Sequence, residues 1–279
     1  MSALDEVFAR CREQDRAALI GYLPAGFPSY DLAVEAMVAM VEEGVDVVEV
    51  GMPYSDPLMD GPVIQAAQQA ALAAGTRQAD VLRSVQAVAA TGAPTLVMGY
   101  WNPVHRYGFR RWAQALKDAG GAGAITPDLI PEEAGEWLDA CRDLDLDPVF
   151  LVAPSSTDER IAVVGRANRG FVYAAAVMGV TGARAQIGAG ARELVRRTRA
   201  QTDLPVAVGL GVSSGPQATQ VAAFADGVVV GSALVTALET GGVDAVRRLS
   251  AELAAGVRAT APAEQAERAA PDSVGVGPA

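Results

Sequence analysis

Short runs of Val, Ile and Leu alternate along this chain with longer segments of helical period. The apolar runs fall at 17–25, 45–52, 95–100, 123–128, 148–153, 170–176, 206–211 and 227–232. Between them lie amphipathic segments such as "DLAVEAMVAMVEEG", "FRRWAQALKDAG", "PEEAGEWLDACRDL" and "ARELVRRTRAQ". Several end in Gly and several begin near Pro, Ser or Asp, as helix ends do. Residues 62–91 hold two helical segments, one more than a crossover needs. Strands alternating with helices predict βαβ units and a parallel sheet. Eight such strands fit a closed (β/α)8 TIM barrel, here a single domain over residues 1–256. Residues 257–279 are rich in Ala, Pro, Glu and Gly without a core-forming period, and read as a disordered tail. The competing architecture, an open doubly wound sheet, would carry a GxGxxG turn near the start, and none is there.

Composition narrows the chemistry. Of 279 residues, 51% are hydrophobic, enough for one large core. No apolar run approaches the roughly 18 residues of a membrane span. The charged start "MSALDEVFARCREQDR" lacks a signal segment, so a cytoplasmic location is expected. Cys11 and Cys141 read as free thiols. A net charge of −11 argues against nucleic acid as a partner. His105 is the only histidine and Lys117 the only lysine. A histidine-built metal site is therefore ruled out, and no metal is expected. A Schiff base would have to use Lys117, which sits near the end of a helical segment rather than a strand. Acid–base chemistry falls to carboxylates.

In a barrel of this kind the chemistry sits where strands end. The second strand delivers Glu49. Alternation places Val45, Val47, Glu49 and Gly51 on one face and Val48 and Val50 on the other. If the first face is the barrel interior, Glu49 is partly desolvated, with a raised pKa suited to giving and taking a proton. The alternative is a buried charge satisfied by an arginine. Asp60, in "DPLMDGP", reads on its own as a turn or capping residue. Asp56, in "SDP", has the same alternative. The last three strands deliver Gly-rich loops, "MGVTGARAQIGAGA", "GLGVSSGPQ" and "VVVGSAL". Their backbone N–H groups suit an anion such as phosphate. The first of them is long enough to be a lid. His105 reads as a rim residue, and Tyr100 and Trp101 as pocket, interface or packing residues.

The stretch "VEVGMPYSDPLMDGPVIQ" closely resembles the signature of the tryptophan synthase alpha subunit family. "YLPAGFPS", "MGYWNPVHRYG", "ITPDLIPEEA", "VFLVAPSS", "VYAAAVMGVTGAR", "VGLGVSS" and "GVVVGSALV" follow in the family's order, and only the tail lies outside. The resemblance implies a lyase of tryptophan biosynthesis. It would cleave indole-3-glycerol phosphate to indole and glyceraldehyde 3-phosphate by a retro-aldol step, without a cofactor in this chain. Glu49 and Asp60 would be the catalytic pair. Tyr22, Met98, Tyr100, Ile125, Leu151, Tyr173 and Leu210 would form the indole pocket. Backbone groups of Gly182, Gly211, Gly231 and Ser232 would hold the phosphate, and Thr181 would belong to the lid. Pro53, Asp56, Pro57, Asn102 and Pro103 would meet a beta subunit in an alpha2-beta2 assembly, the pyridoxal phosphate belonging to that partner. The run "AAAVM" departs from the more polar family pattern before the lid. Other readings are a stand-alone indole-3-glycerol phosphate lyase, a non-catalytic phosphate-ligand binder and a different phosphosugar barrel.

Overall fold

A computed structural model describes residues 1–176, 189–209 and 211–259 of the chain. The strands are β1 (Ala18–Pro24), β2 (Val47–Gly51), β3 (Thr95–Met98), β4 (Gly123–Ile125), β5 (Asp147–Val149), β6 (Leu151–Val152), β7 (Val172–Ala175), β8 (Val206–Gly209) and β9 (Gly227–Val230). The helices are α1 (Ala3–Glu13), α2 (Tyr30–Glu42), α3 (Pro62–Ala73), α4 (Gln78–Ala89), α5 (Trp101–Tyr107), α6 (Phe109–Asp118), α7 (Gly135–Leu144), α8 (Asp158–Ala167), α9 (Ala189–Arg199), α10 (Gly215–Ala222) and α11 (Ser232–Arg258), the last broken at Gly242. All strand pairs are parallel, in the order β5-β4-β3-β2-β1-β9-β8-β7-β6. This is the expected TIM barrel, nearly closed.

The expected fifth strand, 148–153, is split. β5 and β6 are two pieces separated at Phe150. The buried Asn168 amide fills the gap in the hydrogen bonding. Its Oδ1 accepts from Phe150 N at 2.7 Å, and its Nδ2 donates to the Phe150 and Phe171 carbonyls at 3.1 Å each. A buried backbone group must find a partner, and here a side chain supplies it.

Two apolar layers follow from strand alternation. Ile20, Val47, Leu96, Ile125, Val149, Ala207 and Val229 fill the barrel. Leu4, Val7, Phe8 and Cys11 of α1 pack onto the same cluster and plug its N-terminal end. The start of α1 is set by a capping box, with Ser2 N donating to Asp5 at 2.8 Å and Asp5 N to Ser2 Oγ at 3.3 Å. Val48, Val50, Leu23 and Val97 face outward beneath the helices. Val45 belongs with this outer layer, not with Val47 and Glu49, because it precedes β2 and the two-residue alternation has not yet begun.

The register that matters for the site is fixed below it. Asp46 accepts both Arg16 guanidinium nitrogens, at 2.7 and 2.8 Å, and the Leu19 N–H at 2.9 Å. Asp46 N donates in turn to the Leu19 carbonyl. With β1 and β2 pinned there, Tyr22 stands opposite Glu49. The barrel's last helix runs to Arg258, and Val257 is fully buried. Helix α11 thus ends two residues past position 256, with Val257 packed on the core. Residues 260–279 of the expected tail lie outside the described residues.

Candidate active site

Glu49 occupies the last full inward position of β2, flanked by Tyr22 of β1 and Leu96 of β3. It is wholly buried, and neither carboxylate oxygen has a hydrogen-bond partner among the described residues. Burial alone pushes its pKa up to about 8. The alternative of a charge satisfied by an arginine is not what the structure shows. Above it, two glycines make room for two phenols. A β-carbon on Gly51 would overlap the Tyr22 ring. One on Gly209 would come within 2.6 Å of the Tyr173 hydroxyl. Burial raises both phenol pKa values, and both Glu49 and Asp60 raise them further. The two carboxylates therefore act on the same two hydroxyls.

Asp60 ends the loop after β2. Its carboxylate does not cap α3, whose N-cap is Gly61 without a side-chain bond. Instead Oδ2 accepts from Gln68 Nε2 at 2.9 Å and from the Tyr100 hydroxyl at 3.0 Å. Burial raises the Asp60 pKa, and the two donors oppose that rise. Tyr100 also accepts from Met59 N at 2.8 Å, and burial pushes its own pKa up to about 12. Gln68 was not singled out from the sequence. The available signal was its place on the buried face of α3 with Ala67 and Ala71, where a polar side chain needs a partner.

Of the other expected pocket residues, Tyr22 is the register partner of Glu49 and Tyr100 donates to Asp60. Tyr22, Tyr100 and Ile125 are buried. Met98, Leu151 and Tyr173 are half-buried and pack on the inner cluster. Gly211 has φ +71°, and Gly231 and Ser232 form the N-terminus of α11. Gly211 and Ser232 also line one depression of about 460 Å³. Leu210, Thr181 and Gly182 lie outside the described residues.

Of the expected partner surface, Asp56 and Asn102 are exposed, and Pro57 and Pro103 half-buried. Pro53 is buried in the chain itself and offers little surface. Asp56 accepts from Ser55 Oγ at 2.7 Å, and Asn102 donates to the Tyr54 hydroxyl at 3.2 Å. Leu58 and Met59, between the acids, are 85% and 57% exposed. His105 is exposed on α5, away from both carboxylates' hydrogen bonds. Lys117 donates to the Asp145 carbonyl at 3.3 Å at the end of α6. Cys11 and Cys141 are free and buried, and burial raises both thiol pKa values. Among the described residues no cluster of His, Cys, Asp and Glu could hold a metal ion, and no helix is long and apolar enough to cross a membrane.

The family model described as tryptophan synthase alpha chain matches residues 8–265. The chain belongs to the tryptophan synthase alpha chain family. It is 58% identical over 262 residues to the tryptophan synthase alpha chain of Mycobacterium avium, covering 94% of this chain and 97% of that one. The fold is similar to a Mycobacterium tuberculosis tryptophan synthase structure, with TM-score 0.87 and 58% identity, covering 92% of this chain and 98% of that one. It is also similar to tryptophan synthase subunit alpha from Legionella pneumophila, with TM-score 0.83 and 32% identity, covering 92% and 98%. The region matched to the tryptophan synthase alpha chain family contains Glu49, Asp60, Gln68 and the glycines at the strand ends.

Proposed function

We propose that Glu49 and Asp60 carry out the lyase reaction of this family, cleavage of indole-3-glycerol phosphate to indole and glyceraldehyde 3-phosphate in tryptophan biosynthesis. The observation that carries the reading is Glu49, a buried carboxyl with no partner among the described residues and a pKa pushed up to about 8. Such a group holds its proton at neutral pH and can return to that state after giving it up. Glu49 protonates C3 of the indole ring, which breaks its aromaticity. Asp60, held by two donors that favour its carboxylate form, accepts the ring N–H as positive charge develops there. The Glu49 carboxylate then takes the proton of the glycerol hydroxyl next to the ring. That O–H pair becomes the aldehyde C=O, the C–C bond breaks, and its electrons restore the aromatic ring.

Tyr22, Met98, Tyr100, Ile125, Leu151, Tyr173 and Leu210 would enclose the indole. An apolar and aromatic lining suits that ring. Backbone N–H groups at Gly182, Gly211, Gly231 and Ser232 would hold the phosphate, as helix N-termini do for anions. Thr181 would act from the lid. Asp56, Pro57, Asn102 and Pro103, with the exposed Leu58 and Met59, would meet a beta subunit, which would carry the pyridoxal phosphate in an alpha2-beta2 assembly.

The test is indole release from indole-3-glycerol phosphate by the purified chain, with and without a beta subunit. Glu49→Gln and Asp60→Asn are each expected to lose on the order of 10²-fold or more in kcat. Wild-type rates in both variants would refute the reading. Full turnover without a beta subunit would make the chain a stand-alone lyase.

A further inference from the structure

We propose that Gln68 is a positioning residue for Asp60, aiming its carboxylate and holding the loop that carries it, a role that rests on the reading of Asp60 given above. Gln68 is 2% exposed on helix α3. Its amide has two distinct ends, and both are committed. Oε1 accepts the Tyr54 N–H at 3.0 Å. That bond fixes the orientation of the amide, because the opposite flip would set two N–H groups against each other. Nε2 therefore faces Asp60 Oδ2 at 2.9 Å, with the Tyr22 hydroxyl 3.4 Å away. Tyr54 lies near the start of the loop after β2, and Asp60 at its end. One side chain thus ties both ends of the acid-bearing loop to one helix.

The arrangement is directional. Gln68 and Tyr100 both donate to Oδ2, and Oδ1 accepts from no group among the described residues. A carboxylate held this way presents one free oxygen to a substrate N–H. The groups facing it are Tyr100 after β3, Tyr22 on β1 and Tyr173 on β7, with Glu49 on β2 acting on Tyr22 and Tyr173 as well. All three tyrosines are neutral at physiological pH. The amide is therefore a fixed donor that no titration removes. Glutamate at 68 would still accept from Tyr54 but would turn an oxygen toward Asp60. Methionine would keep the volume and lose both bonds.

The experiment compares Gln68→Met, Gln68→Glu and Asp60→Asn in the full chain, reading kcat, KM, the acid limb of kcat/KM against pH, and thermal midpoint. Gln68→Met is expected to lower kcat about 10- to 100-fold while KM changes no more than about threefold, as misplacement of a reacting group does. Gln68→Glu is expected to move the acid limb up by about one pH unit, as a facing carboxylate does. A structural role alone would lower the midpoint and leave the acid limb in place. If Gln68→Glu does not fold, Gln68→Met decides. Wild-type kcat and an unmoved acid limb in the folded variants would overturn the proposal. If Asp60→Asn is itself fully active, the reading of Asp60 fails instead. An inactive Asp60→Asn beside fully active Gln68 variants refutes only the positioning role.

Discussion

The ring of Tyr22 fills the space where a β-carbon on Gly51 would stand. Tyr22 is also the register partner of Glu49, so the glycine decides where a phenol beside the buried acid can lie. Gly51→Ala is expected to displace that ring and cost about 1–3 kcal/mol of stability, as overpacking does. A loss of kcat of about tenfold or more should accompany it, because a neighbour of the reacting group has moved. Urea denaturation and steady-state kinetics on the same preparation check both.

Glu49 makes stability depend on pH. Its pKa is raised from 4.5 to about 8, so the folded state holds a proton that the unfolded state releases between those values. Stability from this group is complete below 4.5 and is lost as pH rises through about 8. Glu49→Gln has nothing to titrate. The unfolding free energy of wild type minus variant should therefore fall by on the order of a few kcal/mol between about pH 5 and about pH 9. Denaturation at both pH values measures it, and an unchanged difference would mean Glu49 is not a neutral buried acid.

In the proposed mechanism the same proton gates the reaction. Its active form has Glu49 protonated and Asp60 ionised, so kcat/KM is expected to be bell-shaped in pH. The basic limb should have its midpoint near about 8. The acid limb would belong to Asp60, whose pKa burial raises against the pull of Tyr100 and Gln68. In Tyr100→Phe one of those donors is gone, and the acid limb should move upward. Rates from about pH 5 to about pH 9.5 distinguish the two limbs.

The pair Arg16–Asp46 holds the register of β1 and β2 with both side chains nearly buried, at 6% and 8% exposure. Arg16→Met leaves Asp46 with the Leu19 N–H but no counter-charge. The expected cost is about 3–5 kcal/mol, the penalty of an uncompensated buried charge. A smaller loss is expected for Asp46→Asn with Arg16→Met together, since neither charge is then stranded. A double-mutant cycle by chemical denaturation reads the coupling.

Much of the barrel was legible because its signals are local. Alternation marked the strands, helical period marked α3 and α4 as two helices, and the shared face of Val47 and Glu49 followed from the two-residue repeat, while the barrel showed that face to be the interior. That repeat misplaced Val45, which precedes the strand and takes its position from packing against the helix layer. The split at Phe150 left no local trace either, since Val-Phe-Leu-Val is a good strand sequence. The gap is bridged by Asn168, eighteen residues away. At the site, scarcity of His and Lys pointed to carboxylates, and the resemblance named Glu49 and Asp60. Pattern alone left each with a structural alternative.

Sequence by itself therefore determined the alternation of strands and helices and the parallel barrel, and pointed to carboxylate chemistry. The first two rest on local periodicity, the third on composition over the whole chain. Only the tertiary structure decided that Glu49 is buried without a partner among the described residues, that Asp60 is held rather than capping α3, and that Gln68 joins the loop to the helix. Such facts depend on which side chains distant segments bring within hydrogen-bond reach, and on how completely packing excludes water. A carboxyl's proton affinity is set by that surrounding space, not by its neighbours in sequence.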